Sequence, residues 1–176
     1  MIKTYLYRGG VAGLIESASV EIQDDSILDV ELMKFLISKA KELYTCLRPP
    51  GPAGALLVPR DIISITMILT SATSPPGSKT CREVECEMEN GHCVRTNHAE
   101  MIAIAIAASM GIPTYGATMY SILKPCYNCS KMIVEANIRR VYYAGAAYDE
   151  QRTKDVLQNG YVDITKLEGT GLTYGC

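Results

Sequence analysis

Asn97-His98-Ala99-Glu100 opens an apolar run that reaches Met110, and Pro125-Cys126-Tyr127-Asn128-Cys129 opens a second segment of helical character. The first run, rich in Ala, Ile and Met, is apolar nearly all round, the pattern of a buried helix. Gly111 and Pro113 end it. The second segment predicts a helix over residues 126–136. Soft metal ligands therefore stand at both helix starts: His98 at one, Cys126 and Cys129 at the other. Neighbouring helix N-termini can point at one spot, and their positive dipole ends favour thiolate over thiol. One imidazole and two thiolates supply three ligands to a zinc ion. Three protein ligands leave a tetrahedral zinc one position for water, the mark of a catalytic site.

Zinc lowers the pKa of such a water to about 7. Glu100, two residues from His98, can take a proton from that water as it attacks an amidine carbon, then deliver protons to the ring nitrogen and the departing ammonia. The competing reading is a closed structural site with a fourth protein ligand. Glu100 favours catalysis, because a buried carboxylate beside a zinc has no structural use that offsets its desolvation.

Alternating elements surround this pair. Asp29 is a candidate N-cap for a helix to about residue 44, with Leu32, Phe35, Leu36 and Leu43 on one side. Pro49-Pro50-Gly51-Pro52 stops it. Residues 55–58 and 62–69 read as a strand pair and residues 70–80 as a loop. Strands are expected over 117–123, 141–144 and 161–164, and a helix over 150–158. This alternation predicts a layered α/β domain over residues 29–176. Residues 1–28, with turn-like Gly9-Gly10 and Asp24-Asp25, read as an N-terminal extension of strand or helix.

The 176 residues are 48% hydrophobic, enough for a substantial core, and the formal net charge is −2. That charge argues against a nucleic-acid polymer as partner, since phosphate backbones are held by clustered Lys and Arg. A small anionic substrate needs only one or two cations. The seven cysteines form an odd set, Cys46, Cys81, Cys86, Cys93, Cys126, Cys129 and Cys176, unlike a secreted disulfide framework. Their clustering fits metal ligation in a reducing cytoplasm, with Cys176 assigned no role. No apolar run approaches the ~20 residues of a membrane span. Arg8 and Glu16 interrupt any signal-peptide pattern.

The stretch Gly91-His92-Cys93-Val94-Arg95-Thr96-Asn97-His98-Ala99-Glu100-Met101, with Pro125-Cys126-Tyr127-Asn128-Cys129 and Tyr142-Tyr143…Tyr148, resembles the deoxycytidylate (dCMP) deaminase family of the zinc-dependent cytidine deaminase superfamily. Thr45-Cys46-x-Arg48 resembles the end of that family's first helix. The likeness spans roughly residues 30–165 and is strong from 91 to 148. It implies a three-layer α/β/α fold with a mixed five-stranded sheet and zinc at two helix N-termini. It also implies dCMP converted to dUMP and ammonia, and a homohexamer, otherwise a dimer or tetramer. Regulation by dCTP and dTTP, with Mg2+ accompanying a nucleotide effector, is a further implication. By the same match His98, Cys126 and Cys129 hold zinc and Glu100 shuttles protons. Ala72, Ala99, Arg48, Tyr127 and Tyr148 become candidates for substrate contact, the two tyrosines by packing on a pyrimidine.

Cys46, Cys81, Cys86, His92 and Cys93 are further soft ligands. Some viral and bacterial relatives carry a second, structural zinc ahead of the catalytic His. The resemblance puts Cys46 and Cys81 at its positions, with Cys86 and His92 completing the set and Cys93 packed. The alternative is plain thiols, with His92 in the substrate pocket.

Three positions depart from the family. Gly-Tyr-Asn-Gly before Ser-Pro is replaced by Thr70-Ser71-Ala72-Thr73, an Asn after His-Ala-Glu-x is Ile102, and an Arg after Tyr148 is Asp149. Each change removes a polar contact, and such losses alter discrimination strongly. Arg48, Arg95, Lys124 and Arg152 are the cations that can replace the missing phosphate contact. The substrate alternatives are dCTP, CMP, a nucleoside or 5-substituted dCMP. A catalytically silent nucleotide-binding relative and a structural zinc protein are the readings from other classes.

Overall fold

The computed structural model describes residues 3–8, 11–16, 25–46, 53–60, 66–89, 92–145 and 151–172. Strands β1 (Lys3–Arg8) and β2 (Val11–Glu16) precede helix α1 (Asp25–Leu43), then β3 (Gly54–Val58) and β4 (Thr66–Ser71). A short helix α2 (Cys81–Val84) and a small hairpin, β5 (Met88–Glu89) with β6 (His92–Cys93), lead into α3 (Ala99–Met110). The chain continues through β7 (Thr118–Leu123), α4 (Tyr127–Glu135), β8 (Arg140–Gly145), α5 (Gln151–Asn159) and β9 (Asp163–Lys166). The main sheet runs β2-β1-β4-β3-β7-β8-β9. β3 is antiparallel to β4 and β7, whereas β7, β8 and β9 are parallel. The block β4-β3-β7-β8-β9 is the mixed five-stranded sheet expected. β1 extends it, parallel to β4, and carries β2 as an antiparallel partner. Residues 3–8 and 11–16 of the expected extension thus contribute strands to the same sheet.

Side chains alternate faces along a strand, and the central strands are apolar on both. Ala55 and Leu57 of β3, Ile68 of β4 and Met119 of β7 pack with α3 and Ile133 of α4. Their neighbours Leu56, Met67, Leu69, Tyr120 and Ile122 pack with Met33, Leu36, Ile37 and Ala40 of α1. Two apolar faces demand two covering layers, which gives the α/β/α sandwich. Truncating Leu57 or Leu36 to Ala would cost about 2–5 kcal/mol. Gly54 lets α1 close onto β3, since a Cβ there would stand 2.7 Å from that of Ala40.

Several boundaries differ from the sequence reading. Asp29 is not a helix cap: α1 begins at Asp25, and the Asp29 carboxylate instead accepts a hydrogen bond from the Tyr120 hydroxyl. Tyr120 is buried, so its phenol requires a partner. The run from Asn97 becomes helical only at Ala99, because His98 keeps an extended backbone, φ −71° and ψ 146°. Gly111, at φ 66°, caps α3 as expected by donating its N–H to Ala107 and Ala108 carbonyls. The last strand starts two residues late because Tyr161, at φ 54°, is still in a turn. Arg48, Tyr148, Asp149, Cys176, Gly9-Gly10 and the beginning of the strand expected from residue 62 lie outside the described residues.

Candidate active site

His98 ends the loop that leads into α3. The preceding Asn97 donates its N–H to the Thr73 carbonyl at 3.0 Å, pinning the loop after β4 in front of the helix. Cys126 stands at the N-cap of α4 and Cys129 on its first turn. The two helix starts meet: His98 Nδ1 lies 3.4 Å from Cys126 Sγ and 3.3 Å from Cys129 Sγ. Glu100, buried on the first turn of α3, places Oε2 3.6 Å from Cys129 Sγ. Its other oxygen is 2.8 Å from the hydroxyl of Ser121 on β7. A bond with Cys129 holds the Cys126 thiol down to about 4 against the effect of burial, with His98 adding to the shift. The same bond, burial and the charge of Glu100 push Cys129 up.

This donor set fits zinc. Zn–N near 2.0 Å and Zn–S near 2.3 Å, at tetrahedral angles, separate nitrogen from sulfur by roughly 3.5 Å. All three donor atoms lie within 4.8 Å of one another. No fourth His, Cys, Asp or Glu joins them among the described residues.

The remaining candidates fall at varied places. Ala99 is buried in the first turn of α3, and its carbonyl accepts a 2.7 Å bond from Thr70 Oγ1. Ala72 is buried just past β4, with its backbone tied to Ala53 and Thr45. The Tyr127 ring is half-buried, with Lys131 Nζ and the Arg152 guanidinium each 4.7 Å from its centroid. Arg95 pairs with Glu87 at 3.0 Å and donates to the Glu85 carbonyl, so it braces the loop. Lys124 is buried, 5.9 Å from the centre of the Tyr143 ring.

The second cluster is corrected in one member. Cys46, Cys81, Cys86 and Cys93 bring their sulfurs within 4.8 Å of one another. Cys46 and Cys86 are 3.9 Å apart, Cys81 and Cys93 3.5 Å. His92 is not part of this group; its ring stacks on His98, 6.2 Å between centroids. His92 and Cys93 are neighbours on β6, where consecutive side chains face opposite ways. Burial pushes the Cys81 thiol up. Burial acts the same way on Cys93, but backbone N–H groups of Arg95 and Thr96, with Cys81, more than offset it and leave Cys93 at about 6. The sequence names Cys93 as a soft ligand but reads it as packed, whereas the structure groups it with Cys46, Cys81 and Cys86. Ser121 carries no sequence signal beyond falling on the same face as Met119.

The family model for the cytidine and deoxycytidylate deaminase zinc-binding region matches residues 27–145. ComE operon protein 2 of Bacillus subtilis (strain 168) is 36% identical over 92 residues, which are 52% of this chain and 49% of that protein. Deoxycytidylate deaminase of Enterobacteria phage T4 is 38% identical over 69 residues, 38% of this chain and 35% of that protein. The chain thus spans about half or less of the length of these relatives. Among solved structures, dCMP deaminase from the cyanophage S-TIM5 in complex with dCMP and dUMP superposes with a TM-score of 0.63 at 25% identity. That match covers 84% of this chain and 100% of the cyanophage chain.

Proposed function

This chain belongs to the cytidine and deoxycytidylate deaminase family, and on that footing we propose that it hydrolyses the cytosine nucleotide dCMP to dUMP and ammonia. The observation that carries the reading is the meeting of His98, Cys126 and Cys129 with the buried Glu100 beside them. The cyanophage enzyme, which binds dCMP and dUMP, supports the choice of substrate.

His98, Cys126 and Cys129 would hold zinc, whose Lewis acidity makes water a nucleophile near neutral pH. Glu100 accepts one proton from the attacking water and delivers it to N3 of the base. It then moves the second proton from the new C4 hydroxyl to the amino group, which leaves as ammonia while C4 becomes a carbonyl. Burial at 7% exposure keeps this carboxylate close to the reacting atoms and away from bulk water. Substrate contacts through Ala72, Ala99, Tyr127, Arg48 and Tyr148 belong to the same proposal.

Cys46, Cys81, Cys86 and Cys93 form the better ligand set for a second, structural zinc, because four sulfurs complete a closed tetrahedron. A homo-oligomer, with a hexamer first, fits the family. A groove of about 430 Å³, lined by Thr73, Pro75, Met101 and Ala105, lies between the loop after β4 and α3. A reducing cytoplasm fits the absence of disulfides among the described cysteines. No helix among the described residues is long and apolar enough to cross a membrane.

The test is a substrate panel of cytidine, CMP, dCMP, dCTP and 5-substituted dCMP, read by loss of cytosine absorbance and by ammonia release. Fastest turnover of dCMP supports the proposal. A preference for another member reassigns the substrate. Tight binding without turnover, in zinc-loaded protein, contradicts the enzyme.

A further inference from the structure

We infer that Ser121 is the positioning residue for Glu100, an inference that rests on the deaminase reading. Ser121 is 2% exposed, on the face of β7 turned toward α3. Its hydroxyl reaches two acceptors, Glu100 Oε1 at 2.8 Å and the Leu123 carbonyl at 2.7 Å. The Leu123 carbonyl belongs to the sheet and anchors the hydroxyl to a rigid element. Holding Oε1 turns the other carboxylate oxygen toward the cysteine pair, where Oε2 is found 3.6 Å from Cys129.

Ser121 has one hydroxyl proton, and Glu100 Oε1 and the Leu123 carbonyl both stand within its reach. With Oε1 held at the serine, Oε2 is the oxygen left to face the cysteine pair. A side chain without the hydroxyl leaves the carboxylate free to swing, and misplacement by about 1 Å can cost a hundredfold in rate.

The test compares zinc-loaded wild type with Ser121→Val, Ser121→Thr and Ser121→Ala. Val and Thr have the same shape and differ in the hydroxyl. The expected result is a fall of roughly tenfold to a hundredfold in kcat for Ser121→Val, with KM for dCMP and zinc content unchanged. Ser121→Ala should fall alike, and Ser121→Thr should keep kcat within about threefold of wild type. Crystal structures supply a readout independent of activity: the Glu100 carboxylate should move away from Cys129 in Ser121→Val and stay in Ser121→Thr. An unmoved Glu100 in Ser121→Val, or an undiminished kcat, overturns the inference. If wild type leaves dCMP untouched, the deaminase reading fails, and the crystallographic comparison still decides the role of Ser121.

Discussion

His92 stacks its ring against His98, with 6.2 Å between centroids, while the adjacent Cys93 turns its sulfur to Cys81, 3.5 Å away. One short strand therefore joins the candidate catalytic centre to the four-cysteine cluster. Strand alternation produces the arrangement, since neighbours on β6 cannot face the same way.

From that alternation, Cys93→Ala should lose one zinc per chain and His92→Ala should lose none. Elemental analysis of the purified variants reads this directly. Loss of a structural metal also lowers the unfolding midpoint, by about 2–4 °C for each kcal/mol removed in a chain of this size. Equal metal content in Cys93→Ala and wild type would remove the second zinc site.

Substituting His98, Cys126 or Cys129 by Ala should each lower zinc by one equivalent and abolish turnover. Each removes one of three mutually close donors, and two remaining ligands hold zinc poorly. Full metal retention with activity intact in any one of these variants would strike that residue from the site.

Tyr120 gives the protein an alkaline limit. Burial and the hydrogen bond to Asp29 push its phenol above the ordinary value of 10.0. The sign follows from linkage: a raised folded-state pKa means the contribution is fully present below pH 10 and is lost as pH rises further. Urea unfolding between pH 8 and 11 should show stability falling from pH 10 upward. Tyr120→Phe should be about 1 kcal/mol less stable at pH 8 and lose less between pH 10 and 11. Parallel pH curves for the two proteins would contradict this role.

The layered fold and the meeting of His98 with Cys126 and Cys129 are legible because they are encoded locally. The apolar run through Ala103 and Ile106, the Gly111 cap and the Cys-x-x-Cys at a helix start each announce themselves within a few residues. What escaped depends on distant partners. Asp29 looked like a cap because its real partner, Tyr120, lies ninety-one positions away. The segment around α2 and β6 has too few apolar residues to predict elements. Thr80 caps α2 through Glu83, and sulfurs drawn from Cys46 to Cys93 gather around it. Ser121 was silent because a lone serine in an apolar strand says nothing until Glu100 is seen across from it.

The most direct measurement compares initial rates of dUMP and ammonia formation from dCMP by wild type and Glu100→Gln, with zinc counted in both. Gln keeps the shape and removes the acid–base group, so the rate should fall by roughly 10²–10⁴ at equal zinc content, with ammonia matching dUMP mole for mole in wild type. Equal rates in the two proteins would contradict Glu100 as the carrier of protons in this site.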